Sequence, residues 1–221
     1  IPDECGLPAD CPLSDHPFPP CGLLDWDPVL TLDMAMDPGF KLYEQNMTPM
    51  GSWDPANRCY RVRSGKVSQQ LYVQLPMPVQ DFECRITFSV VQKGYLILFG
   101  IASDIAGVAK VAGQEFYHNL YGGFDWHFDY PVARDRWSVL WNPYHTNNIQ
   151  AFPIPTTFVA VVRRFTNGPR AILNWELFDA TGAIRLDSDT LQIAGFTDPM
   201  NYIFINTGRA NEKEGLIDFL A

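Results

Sequence analysis

From Leu30 onward, apolar and polar positions alternate with a period of two, the repeat of an extended chain rather than the 3.6 of a helix. The clearest run is Asp81-Phe82-Glu83-Cys84-Arg85-Ile86-Thr87-Phe88-Ser89-Val90. On a strand, successive side chains point to opposite faces, so Phe82, Cys84, Ile86, Phe88 and Val90 share a packed face, while Asp81, Glu83, Arg85, Thr87 and Ser89 share a wet one. The segment Tyr95 to Ile101 has no wet positions and reads as a central strand, joined to the first by a turn at Lys93-Gly94. Further strands are expected at Gln70 to Leu75, Phe116 to Tyr121, Trp137 to Asn142, Thr157 to Phe165, Ala171 to Phe178, Tyr202 to Thr207 and Leu216 to Leu220. Asn167-Gly168 and Thr181-Gly182 stand where the chain must reverse. One short helix is expected between Ile101 and Gln114. The 18 prolines argue against many long ones, because each removes an amide donor and crowds the preceding turn.

Antiparallel strands with one wet face each must cover their other faces with a second layer. The predicted fold is therefore all-β: a two-layer antiparallel β-sandwich of concanavalin-like or jelly-roll type. A closed barrel is its rival, since single-strand patterns do not separate the two. Residues 1–28 form an irregular arm rich in cysteine and proline, and residues 29–221 a single sandwich domain. The strand Thr157 to Phe165, returning through Asn167-Gly168 into Ala171 to Phe178, resembles the outline of legume-lectin and laminin-G sandwiches. That resemblance concerns strand rhythm, and a jelly roll of the carbohydrate-binding-module kind shares it. It implies a fold and transfers no residue roles.

Composition narrows the partners. With 16 Lys or Arg against 25 Asp or Glu, the formal charge of -9 disfavours sequence-independent binding to nucleic acid. No run of 18 apolar residues is present, so no helical membrane span is expected. The chain opens on Ile1 with no apolar signal core behind it, and the expectation is an extracellular protein whose signal peptide has been removed. Cys5, Cys11 and Cys21 crowd the proline-rich arm, where cross-links would supply the order that a small core cannot. Cys59 and Cys84 follow in the main body, and either may be read as bridged to the other. Five cysteines leave one free or available for a disulfide-linked dimer. The spacing of the arm cysteines does not match zinc ligation. Asn46-Met47-Thr48 is an N-glycosylation acceptor triplet.

Chemistry concentrates in two segments. Residues 116–131 hold His118, His127, Asp125 and Asp129 among seven aromatic side chains. If the part after Gly123 is extended, Asp125, His127 and Asp129 share one face, with Trp126, Phe128 and Tyr130 on the other. A histidine between carboxylates gains basicity and suits proton transfer or metal ligation. His118 is set apart by Gly122-Gly123, a pair able to turn the chain. The second segment, Trp137 to Asn148, offers Trp141 and Tyr144 as flat stacking faces and Asn142, Asn147 and Asn148 as amides, the division of labour that binds sugars or a small apolar guest. Arg134 and Arg136 share a strand face and could grip a carboxylated ligand. Arg61, Arg63, Arg163 and Arg164 are further candidates. No cofactor is required by any motif. Acidic loops expected at Asp25-Trp26-Asp27 and Asp187-Ser188-Asp189 begin, without completing, a structural calcium site, with Asp25 and Asp27 favoured because Pro28 stiffens their loop.

Phosphate loops, nucleophile elbows and zinc-helix motifs are absent from the sequence. Three function classes follow. The first is a secreted carbohydrate-binding protein whose groove carries Trp126, Trp141, Tyr144, Asn142, Arg134 and Arg136. The second is an acid-base enzyme on the same scaffold, either a polysaccharide lyase or an isomerase or cyclase of a small apolar metabolite, with His127, Asp125, Tyr130 and His118 moving protons. The third is a structural or partner-binding ectodomain.

Overall fold

The computed structural model describes residues 27–43, 48–64, 69–94, 97–105, 151–207 and 214–220, and the backbone alone of 119–129, 132–139, 145–148, 189 and 191. The described chain builds two seven-stranded antiparallel sheets. Sheet I runs β1 (Lys41–Leu42), β4 (Gln70–Val79), β13 (Met200–Asn206), β6 (Ile97–Ala102), β7 (Asn119–Asp129), β8 (Val132–Val139) and β9 (His145–Asn148) from edge to edge. Sheet II runs β12 (Arg185–Ala194), β11 (Arg170–Asp179), β10 (Thr156–Asn167), β5 (Phe82–Gln92), β14 (Leu216–Leu220), β3 (Cys59–Arg63) and β2 (Gly51–Asp54). Both sheets are open, so the architecture is the sandwich and not the barrel. No helix occurs among the described residues.

The core lies between the inner faces. Phe88 of β5 is fully buried, with ring centroids 4.8 Å from Phe99 of β6 and 5.7 Å from Phe158 of β10. Phe99 meets Phe219 of β14 edge-on at 5.2 Å, so aromatic contacts stitch the two layers. Burial of one such ring stabilises by about 1.5–3 kcal/mol. The alternation read in β5 is therefore packing: Phe82, Phe88 and Val90 are buried in this core, and Cys84 and Ile86 pack against it.

Several connections differ from expectation. Strands β5 and β6 lie in different sheets, so Lys93-Gly94 is the start of a crossover and not a hairpin turn. Gly94 is required by crowding there, since a Cβ would sit 2.2 Å from the backbone of Glu214 and Gly215. Gly122-Gly123 does not turn the chain: β7 runs through both, paired to β6 and β8. Asp187-Ser188-Asp189 is not a loop but part of edge strand β12. The short helix expected from Ile101 begins instead as the end of β6, and 106–118 lie outside the described residues. Both expected reversals hold: Gly168 (φ 58°) joins β10 to β11, and Gly182 (φ 71°) joins β11 to β12.

Candidate binding face on sheet I

Strand β4 turns Leu71 and Leu75 into the core, which places Gln70, Tyr72 and Gln74 on the opposite, outer face of sheet I. In β13, Ile203 and Ile205 pack on the core while Tyr202, Phe204 and Asn206 share that outer face. There, Phe204, Leu98, Ala102 and Ile105 form a second, smaller apolar cluster, flanked by Tyr72 and Tyr202. The two tyrosine rings meet edge-on at 5.7 Å. Beside them, Asn206 donates from Nδ2 to Oε1 of Gln70 over 3.2 Å. Gln70 is only 2% exposed, and its Nε2 has no hydrogen-bond partner. An amide donor buried without a partner is costly, roughly 1–3 kcal/mol, so its presence needs a reason.

Cross-strand register carries this face across the sheet. Gln70 stands opposite Asn206, Asn206 opposite Leu98, Leu98 opposite Gly123, Gly123 opposite Ser138, and Ser138 opposite Thr146. At about 4.8 Å per strand, this row spans about 24 Å. Two residues along, Asp125, Arg136 and Asn148 occupy one row of the same face. His127 stands opposite Arg134 in the row after that. The positions of Trp126 and Phe128 alternate with these and fall on the face of sheet I that meets the core. The two chemistry-rich segments of the sequence are thus neighbouring strands at one edge of sheet I.

Of the remaining site candidates, His118, Tyr130, Trp141, Asn142, Tyr144, Asp25, Asn46, Cys5, Cys11 and Cys21 lie outside the described residues. Asp27 is exposed where the described chain begins. Among the described residues no three acidic, histidine or cysteine groups gather as a metal would need.

No protein-family model matches this chain, and no curated protein matches it. Among solved structures it is similar to a legume lectin-like domain from Entamoeba histolytica, at 11% identity over 89% of this chain and 97% of that one, TM-score 0.46. It is also similar to winged bean acidic lectin complexed with methyl-α-D-galactose, at 12% identity over 82% and 96%, TM-score 0.45. Peanut lectin with a nine-residue peptide gives 13% identity over 81% and 89%, TM-score 0.43. At these values the likeness is one of outline, and the account of this chain rests on its own residues.

The cysteines and arginines are put to structural use. Cys59 and Cys84 are free thiols, so the bridge between them does not form. They occupy one sheet with β14 between their strands, and by register they fall on opposite faces, Cys84 inward and Cys59 outward. Two strand spacings exceed the reach of a disulfide. Burial, with Asp218 adding to it, raises the Cys59 thiol, and burial pushes Cys84 up to about 12. Both shifts favour the protonated thiol over the thiolate that a nucleophile needs.

Arg164 is fully buried and donates to the carbonyls of Gln80 (2.8 Å) and Phe196 (3.4 Å) from between the rings of Phe82 and Phe196. Burial lowers its pKa to about 10 against the pull of Asp81 and Asp198. Arg163 bonds Glu83 at 2.7 Å and also Glu176. Arg61 forks onto Asp218 with two bonds of 2.7 Å, and Arg63 faces Glu214 at 3.6 Å. Arg61, Arg163 and Arg164 are thus engaged within the fold, while Arg63 makes an exposed ion pair.

The sequence reading missed Gln70, Tyr72, Tyr202 and Asn206. Its signal was present as amide and aromatic residues at every second position of Gln70 to Gln74 and of Tyr202 to Asn206.

Proposed function

We propose that this protein binds carbohydrate, and that the sugar lies on the β7–β9 end of the outer face of sheet I. The observation that carries the reading is the register that sets Asp125, Arg136 and Asn148 in one row of that face, two charges and an amide. Sugars need planar hydrogen-bonding groups for their hydroxyls and an aromatic ring for their C–H faces. The Gln70 end of the face is not open to a sugar, since Gln70, Leu98, Phe204 and Asn206 are each buried. Trp141 and Tyr144, which follow β8 in the sequence and lie outside the described residues, enter the proposal as its stacking groups.

Array screening of the full chain against plant, animal and microbial glycans tests the proposal, followed by titration of the best ligand into variants. Asn148→Ala, Asp125→Ala and Trp141→Ala should each weaken binding by about tenfold or more, equivalent to about 1.4 kcal/mol, with circular dichroism unchanged. Undiminished affinity in all three variants, or no glycan retained on the array, would refute it.

A further inference from the structure

Separate from the outer face of sheet I, a cavity of about 470 Å³ lies between the sheets. Its described walls are chiefly apolar, with Leu75, Ile101 and Ile203 from sheet I and Phe82, Ile86 and Phe219 from sheet II. The segment 27–34 closes one side, with Leu30 and Leu32 packed on the core and Met34 buried. The opening follows from unequal ladders. Strand β10 accompanies β5 down to Phe82, whereas β14 pairs with it only as far as Thr87. Among the described residues, the edge of β5 from Phe82 to Ile86 therefore lacks a strand on the β14 side, and residues 27–32 line the cavity there instead.

Protein interiors are packed as densely as organic crystals and seldom leave voids larger than a water molecule. An apolar hollow of about 150 Å³ already admits benzene, and small-molecule pockets run from about 300 to 1,000 Å³. The cavity here is therefore of ligand size. Its rim favours an uncharged guest. Asp27 and Asp81 bring carboxylates to it, while Glu83 and Arg85 also border it but pair with each other on the outer face of sheet II, and no other cation stands among the described lining residues. Asp81 accepts from the backbone amide and the hydroxyl of Thr166, so it too is engaged. Cys84 lines the wall as a soft, protonated thiol compatible with hydrocarbon.

We propose that this cavity is a second binding site, for a small neutral molecule with a mostly hydrocarbon body, which enters beside residues 27–32 and bonds its polar end to the edge of β5 that no described strand pairs. Burial of apolar surface drives the binding, and the edge amides orient the guest. The site is independent of the carbohydrate face, because its walls are the inner faces of the sheets.

Titration of the full chain with the neutral fluorophore N-phenyl-1-naphthylamine tests this. Saturable single-site enhancement of emission is expected, with binding about tenfold weaker in Ile86→Phe and in Ile203→Phe, which fill the cavity from opposite walls. Hydrogen exchange on the unaltered chain reads the same site without a variant: saturation with the probe should protect amides 82–86 and 27–34. Absence of saturable binding, protection elsewhere but not in those segments, or undiminished binding in either folded variant would overturn the proposal.

Discussion

The two outer faces of the sandwich treat their polar groups in opposite ways. On sheet II, Arg85, Glu83, Arg163, Glu176 and Arg185 form a continuous chain of ion pairs across four strands, at 2.7 Å for Arg85–Glu83, 2.7 Å for Arg163–Glu83 and 3.3 Å for Arg185–Glu176. Asn174 bonds Arg163 at 3.0 Å and Thr190 at 3.1 Å, a second link from the network to β12. On sheet I, Gln70 is buried with a donor unpartnered, next to two partly buried tyrosines. A face whose charges answer one another stabilises the strands beneath it and has little left for a ligand. One that keeps a buried donor unpartnered bears a cost its covered surroundings do not relieve. The carbohydrate proposal stays on sheet I for its other end, where Asp125, Arg136 and Asn148 stand in one row.

The largest effect should come from Arg163→Ala, which removes the centre of the sheet II network and leaves two mostly buried carboxylates facing each other. A loss of about 2–3 kcal/mol is expected in urea unfolding. A loss below about 0.5 kcal/mol would mean the network is ornamental and erase the contrast. Next comes acid. Burial works to raise the Glu83 carboxyl, but the bonds from Arg85 and Arg163 prevail and hold it below its usual value. A depressed carboxylate contributes stability that is present above its unfolded pKa and is lost as pH falls through its folded one. The unaltered chain should therefore lose stability more steeply than Glu83→Gln as pH drops below about 4.5, the ordinary range for glutamate. Parallel curves would contradict this.

On sheet I, Gln70→Met should leave stability within about 1 kcal/mol, because the lost Asn206 bond is offset by removal of the unpartnered donor. Carbohydrate affinity should stay unchanged, because the buried side chain is out of a sugar's reach. A large loss of stability would show that the Asn206 bond outweighs the unpartnered donor. The smallest effect belongs to Arg85→Ala at the open end of the ion chain. With its side chain 66% exposed, it should cost under about 0.5 kcal/mol.

How much the sequence disclosed depended on the range of the interaction involved. The alternation from Phe82 to Val90 is local, and it named the strand and its packed face. The unbroken apolar run to Ile101 likewise named a strand, and β6 is buried throughout. Strand order is not local. Nothing in Lys93-Gly94 says that the chain leaves one sheet for the other, so a hairpin was inferred where a crossover exists. Cys59 and Cys84 looked like partners for the same reason, since the insertion of β14 between β3 and β5, and the opposite faces the two residues take, are not visible locally. Acidic residues misled where a strand lies at an edge: Asp187 to Asp189 reads as a loop because the edge strand β12 is mostly exposed. At the candidate face, the concentration of chemistry in 116–148 was visible, and its pairing into neighbouring strands was not. Gln70 went unnoticed because a lone glutamine carries no motif, and only burial makes it unusual.

The most direct test is hydrogen exchange on the full chain with and without the glycan selected by the array. The account predicts protection along β7 to β9, with amides around Glu83, Arg163 and Glu176 unchanged. Protection on the outer face of sheet II, with sheet I unaffected, would contradict it.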